Sequence, residues 1–165
     1  MTHDMPHLAE FIKFLDSLNK ESDRGGVLIA ATMVDDLLER IITSFLLDHT
    51  ETEKLVDGFN APLGTLSARS LAAHALGLVS AREYAEIGTI RKIRNRFAHD
   101  IHVSFDDQQI KDLCRNLTYR AQDSSELVVN TKDQFTTAAT SLILSLTNRP
   151  HYVSMKRLVV QDWPY

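Results

Sequence analysis

A single cysteine, Cys114, stands in 165 residues, which excludes an internal disulfide and leaves no thiolate cluster for zinc. It lies in IKDLCRNL at helical spacing, as a buried, inert thiol would. Six glycines and four prolines are too few for a fibrous or linker-like chain. No apolar run reaches the ~18–20 residues that a membrane-spanning helix needs, and MTHDMPHLAEF lacks the basic-then-apolar pattern of a secretory signal. A cytoplasmic protein is expected. No Gly-rich phosphate loop, nucleotide fingerprint or Ser-His-Asp arrangement occurs, so no cofactor is expected. The carboxylates Asp35, Asp36 and Glu39 sit mid-helix beside Arg40 without ligand spacing, so no metal is expected either. They read as charge partners for Arg91 or Arg94.

What is present is apolar and helical. Hydrophobic residues make up 44% and charged residues 24% of the chain, and its length suits one domain spanning residues 1–165. PHLAEFIKFLDSL places Leu8, Phe11, Ile12, Leu15 and Leu18 on one helix face. A long helix follows from Ser22 or Asp23, with Val27, Ala30, Ala31, Val34, Leu37, Leu38, Ile41 and Phe45 as its apolar line. Gly25 and Gly26 near its start suit the close approach of another backbone. Gly77 reads as a helix stop, and Ser80 with Glu83 as a capping box for the next helix. The buried line of that helix is expected to run through Tyr84, Ile87, Ile90 or Arg91, Arg94, and Phe97 or Ala98. SELVVN reads as a brief extended piece, Asn130 or Thr131 as the cap of a last helix, and residues 149–165 as an irregular tail. The expected fold is all-α, a single bundle of five to seven helices.

The charge is uneven. The net charge is −4, which argues against nucleic acid wrapped over the whole surface, yet residues 87–99 contain no acid. Within them IRKIRNRFAHD carries Arg91, Lys92, Arg94, Arg96 and His99. Arg94 and His99 are five residues apart, about 140° on a regular helix, and share a face only where the helix ends between them. There an arginine could hold a phosphate while the histidine moves a proton near neutral pH, without a metal. The plainer reading is a helix end, with the histidine favoured by the helix dipole and the arginines paired to carboxylates.

RNRFAH, Arg94–His99, resembles the R-x4-to-6-H motif of the HEPN helical-bundle superfamily. A longer stretch, about residues 20–115, resembles the mannitol operon repressor family of bacterial regulators. It carries the S-D-R-G segment, the A-P-L-G-T-x-S-A-R segment and the I-R-K-I-R-N-x-F-A-H segment in that order. The second resemblance implies an all-helical repressor of a sugar-uptake operon that works through a regulatory protein partner. The first implies a homodimer whose two sites share a cleft and, in members that cleave RNA, a metal-independent ribonuclease. There Arg94 would bind phosphate, His99 transfer a proton and Asn95 orient both. Arg91, Lys92 and Arg96, with Asp23 and Arg24 of the S-D-R-G segment expected close to them, are candidates for phosphate or partner contact.

Other features carry less. Ser67-Ala68-Arg69 lies at a helix N-terminus, so Arg69 is either a second anion contact or part of a packed helix start. RSLAAHALGLVSAREY has the Ala73 and Gly77 spacing of a DNA-reading helix-turn-helix, but Glu83 stands where an apolar residue should pack. His74 reads as a satisfied core or interface histidine, and His3 with His7 as an incidental pair. In the tail Arg149, His151, Lys156 and Arg157 interleave with Tyr152, Trp163 and Tyr165. They could stack on bases or cover a partner, or dock on the bundle itself.

Overall fold

A computed structural model describes residues 6–164; the His3/His7 pair and Tyr165 lie outside the side chains it describes. The fold is all-α, with no strand among the described residues. Its helices are α1 (Pro6–Lys20), α2 (Asp23–Phe45), α3 (Thr50–Val56), α4 (Leu66–Ala75), α5 (Ala81–His99), α6 (Gln108–Arg115), α7 (Thr131–Thr147) and α8 (Arg149–Ser154). Two of these, α3 and α8, have only seven and six residues.

The bundle is built around α2, whose buried residues fall on one wide arc of about 140°. Val27, Ala30, Ala31, Val34, Leu37, Leu38, Ile41 and Ile42 are all buried, and α1, α4, α5, α7 and α8 pack against it. So wide an apolar stripe faces several neighbours at once, while Asp35, Asp36, Glu39 and Arg40 occupy the other side of the helix. The Ser22 hydroxyl caps its start by accepting from Gly25 N. At Gly26 a Cβ would meet the Leu18 side chain of α1 at 3.4 Å, so the close neighbour is a side chain and not the expected backbone.

Helix α5 begins at the expected capping box, Ser80 with Glu83, and α4 stops before Gly77, whose φ of 72° supplies the left-handed turn. The inward arc of α5 is Glu83, Glu86, Ile87, Ile90, Ile93 and Phe97. Ile93 therefore takes the place expected for Arg94, which is exposed. Two carboxylates in that arc are satisfied inside the fold. Glu86, 1% exposed, accepts from Thr118 N at 2.8 Å, Thr118 Oγ1 at 3.0 Å and Tyr119 N at 3.0 Å, anchoring the loop after α6.

Three further expectations are corrected. On α1 the buried residues are Phe11 and Phe14, while Leu8 and Ile12 are exposed. SELVVN forms no strand. The front of the tail is helix α8, with Pro150 in its first turn, and two of the tail's aromatics, Tyr152 within that helix and Trp163 beyond it, are exposed. Cys114 is fully buried, and desolvation pushes its thiol up to about 12, an inert state. No helix among the described residues is long and apolar enough to cross a membrane.

Candidate functional site

The basic stretch occupies the C-terminal half of α5, and the helix runs unbroken to His99 with Asp100 as its cap. Lys92, Arg94, Arg96 and His99 are exposed, and Arg91 and Asn95 half-buried. Because the helix does not end between Arg94 and His99, the two stand about 140° apart around it and about 7.5 Å along it. Lys92, Asn95, Arg96 and His99 instead share one outward arc of about 100°, with Arg91 at its edge. The residues that sequence spacing joins as a catalytic pair are therefore split between two faces, while the cations around His99 form a patch. Among the described residues no carboxylate pairs with Arg91, Lys92, Arg94 or Arg96. Asn95 does meet Arg94, its Oδ1 accepting from Nη1 at 3.0 Å.

The S-D-R-G segment is tied to this helix through Arg24. Its Nη1 donates to Phe97 O, and Nη2 donates to Asp100 O at 2.7 Å. A guanidinium here satisfies carbonyls that the helix leaves without partners and lies at the negative end of its dipole. Arg24 thus fixes the end of α5 and is half-buried by that role. Asp23 points elsewhere, to Lys132 of α7 at 2.7 Å.

The α2 carboxylates are not the partners of the basic stretch. Asp36 and Glu10 hold Arg40, and this pairing with Arg40 keeps Glu10 below the usual carboxylate range. Asp35 and Glu39 lie 2.9 and 2.5 Å from the Arg69 guanidinium, although Asp35 Oδ1 is off the hydrogen-bond axis. Arg69 also donates to Leu63 O at 2.9 Å and Val56 O at 2.8 Å. It is 7% exposed and its donors are engaged within the fold, which fits the packed helix start among the two readings given for it. His74 is satisfied as expected, stacked on Tyr84 with ring centroids 4.7 Å apart and its Nδ1 3.3 Å from Val79 O. Glu83, the residue that spoils a helix-turn-helix, is buried against Arg149 of α8. The sequence reading missed Ile93, Glu86 and this ion pair. Only Ile93, three residues after Ile90 and four before Phe97, had a local signal.

The sequence model of the mannitol repressor family, MtlR, matches residues 10–157. Among solved structures the chain resembles one from the X-ray structure of the MtlR–HPr complex of Escherichia coli. That match has 23% identity and a TM-score of 0.62, over 88% of this chain and 99% of the other. At this identity the likeness concerns the fold. No curated protein matches.

Proposed function

This chain belongs to the mannitol repressor family, and from that membership we propose that it represses a mannitol-type operon in the cytoplasm through contact with a regulatory protein. The outward arc of α5 is the contact surface. The observation that carries this reading is the set of exposed cations, Lys92 and Arg96 beside His99 with Arg91 at the edge, in a chain of net charge −4. Charge of one sign concentrated on one face steers an oppositely charged partner and fixes its orientation. The similar Escherichia coli structure is a complex with HPr, so HPr is the partner to test first.

Titration calorimetry of HPr against wild type and a Lys92→Glu/Arg96→Glu variant tests this. The wild type is expected to bind, and the variant to bind about tenfold more weakly or worse, with a smaller dependence on salt. No binding to wild type would remove HPr as the partner. Equal affinities would remove α5 as the surface.

The ribonuclease alternative lacks the shared face that it needs, since Arg94 and His99 diverge by about 140° on one unbroken helix. Wild type and His99→Ala protein, incubated with single-stranded RNA in chelator, are both expected to leave it intact. Cyclic phosphate ends produced by wild type alone would reverse that conclusion.

A further inference from the structure

Phe59 is 97% exposed, and the turn that carries it is braced so that the ring stays out. Gly58 and Asn60 on either side hold left-handed φ of 102° and 59°, a conformation that side chains other than glycine seldom adopt. Ala61 N donates to Gly58 O at 3.3 Å and Gly64 N to Ala61 O at 2.9 Å. A Cβ at Gly64 would lie 3.0 Å from Ala61 O, so this second turn leaves little room for a side chain. Leu63 N donating to Leu55 O at 2.8 Å ties the two ends of the loop together, and Arg69 holds both through the carbonyls of Val56 and Leu63. An unbraced loop would let the ring fall back on apolar surface. This one holds it in water, at a cost in backbone strain and exposed apolar area.

We propose that Phe59 anchors a second protein interface, entering an apolar pocket that a partner presents within a basic surface. A single exposed apolar side chain is ordinary, but an aromatic ring fixed in place by a rigid turn is already ordered for binding, and such anchors carry most of the energy of an interface. This contact goes beyond the one proposed for α5.

Charge identifies the occupant. Residues 47–68 hold four carboxylates, Asp48, Glu51, Glu53 and Asp57, and one lysine, Lys54, all exposed. Glu51 is held by His49 and lies 4.0 Å from Lys54. Asp48, Glu53 and Asp57 have no cationic partner among the described residues. Glu53 and Asp57 are one helical turn apart, and Asp57 stands two residues before the ring. Of the arginines that reach this stretch from other elements, Arg69 is buried and paired with Asp35 and Glu39. Arg157, half-buried beside exposed Lys156, donates to Leu46 O at 3.1 Å. It meets the stretch before α3, whereas Phe59 follows α3. An acidic surround repels nucleic acid and anionic lipid, and a two-fold pair of this chain would set the same carboxylates against each other. A basic protein surface is what remains, opposite in sign to any partner of the α5 arc.

So exposed a ring makes almost no contact within the fold, and Phe59→Ser is expected to leave the melting point unchanged. Photo-crosslinking in native cells, with p-benzoylphenylalanine in place of Phe59 and, as control, of exposed Thr137, identifies the partner. The expected adduct forms from position 59 and not from 137, through a peptide in which lysines or arginines flank apolar residues. That protein, purified, is expected to bind wild type with an affinity that falls as salt rises. Binding should weaken about thirtyfold or more for Phe59→Ser and about tenfold for Glu53→Lys/Asp57→Lys. It should be unchanged for Lys92→Glu/Arg96→Glu, which separates this interface from the one on α5. No adduct specific to position 59, an adduct to a second copy of this chain or to an acidic surface, or equal binding by wild type and Phe59→Ser would overturn the proposal.

Discussion

An Arg69→Met variant is expected to melt about 6–12 °C below wild type, from a loss of roughly 3 kcal/mol. Methionine keeps much of the volume and removes every donor. Four acceptors then lose their partner: Asp35 and Glu39 of α2, and the carbonyls of Val56 and Leu63. The carboxylates are about one-third exposed, so water recovers part of their solvation, and the loss stays at the low end of that for a buried pair. The two carbonyls bracket the turn through Gly58 and Asn60, both at positive φ. Arg69 therefore staples the α3–α4 connection to α2, and the variant should also speed hydrogen exchange at Leu63 N, which donates to Leu55 O. Adding Asp35→Asn and Glu39→Gln should recover part of the stability by removing the stranded charges. A melting point within a degree of wild type would mean that the arginine contributes no net stability.

That arginine also shows where sequence reading stops. Its local context, a Pro/Gly loop followed by a cap and a helix start, identifies the helix, and Thr65 does cap it through Ala68 N. Whether the guanidinium faces solvent depends on α2, about thirty residues earlier, and nothing near Arg69 announces Asp35 and Glu39. Glu86 is the same case, because its partners Thr118 and Tyr119 lie more than thirty residues on. Punctuation was legible because its chemistry is local. Ser80 with Glu83, Gly77, Ser22 and Asn130 each act on the backbone within a few residues. Helix α5 was the hardest to orient, since its inward arc holds two carboxylates and its apolar residues alone do not define the arc.

For the candidate site, composition was legible and direction was not. The basic run and its helix followed from the residues, and its link to the S-D-R-G segment is present through Arg24. The pairing of Arg94 with His99 depended on where the helix ends, a matter of one or two residues that propensity does not decide. Two carbonyls bound by Arg24 support the last turn, and that contact is tertiary. The longer resemblance through residues 20–115 was sound because ordered segments of a family constrain one another, whereas six residues of motif do not.

Arg149→Met is expected to cost about 3 kcal/mol at neutral pH and to reverse the acid response of the fold. In wild type, burial alone would raise the Glu83 pKa. Two guanidinium bonds from Arg149 at 2.7 and 2.8 Å and the Ser80 amide at 2.8 Å outweigh burial and hold it below its ordinary 4.5. A carboxylate with a lowered folded pKa contributes stability that is complete above the unfolded value and lost as pH falls through the folded one. Wild type should therefore lose stability as pH drops below about 4.5. Removing Arg149 takes away two of the lowering causes and leaves burial, the largest single one, against the Ser80 bonds, so the folded pKa is expected to rise above the unfolded one and the native state to take up the proton first. The variant should then gain stability from this group as pH falls through the raised pKa towards about 4.5. Urea denaturation midpoints from pH 7 to pH 4 measure both slopes, and Glu83→Gln in the Arg149→Met background should flatten the curve. Parallel curves for wild type and Arg149→Met would show that the α5–α8 ion pair does not set the Glu83 titration. The buried carboxylate at the start of α5 would then be held by its capping box alone.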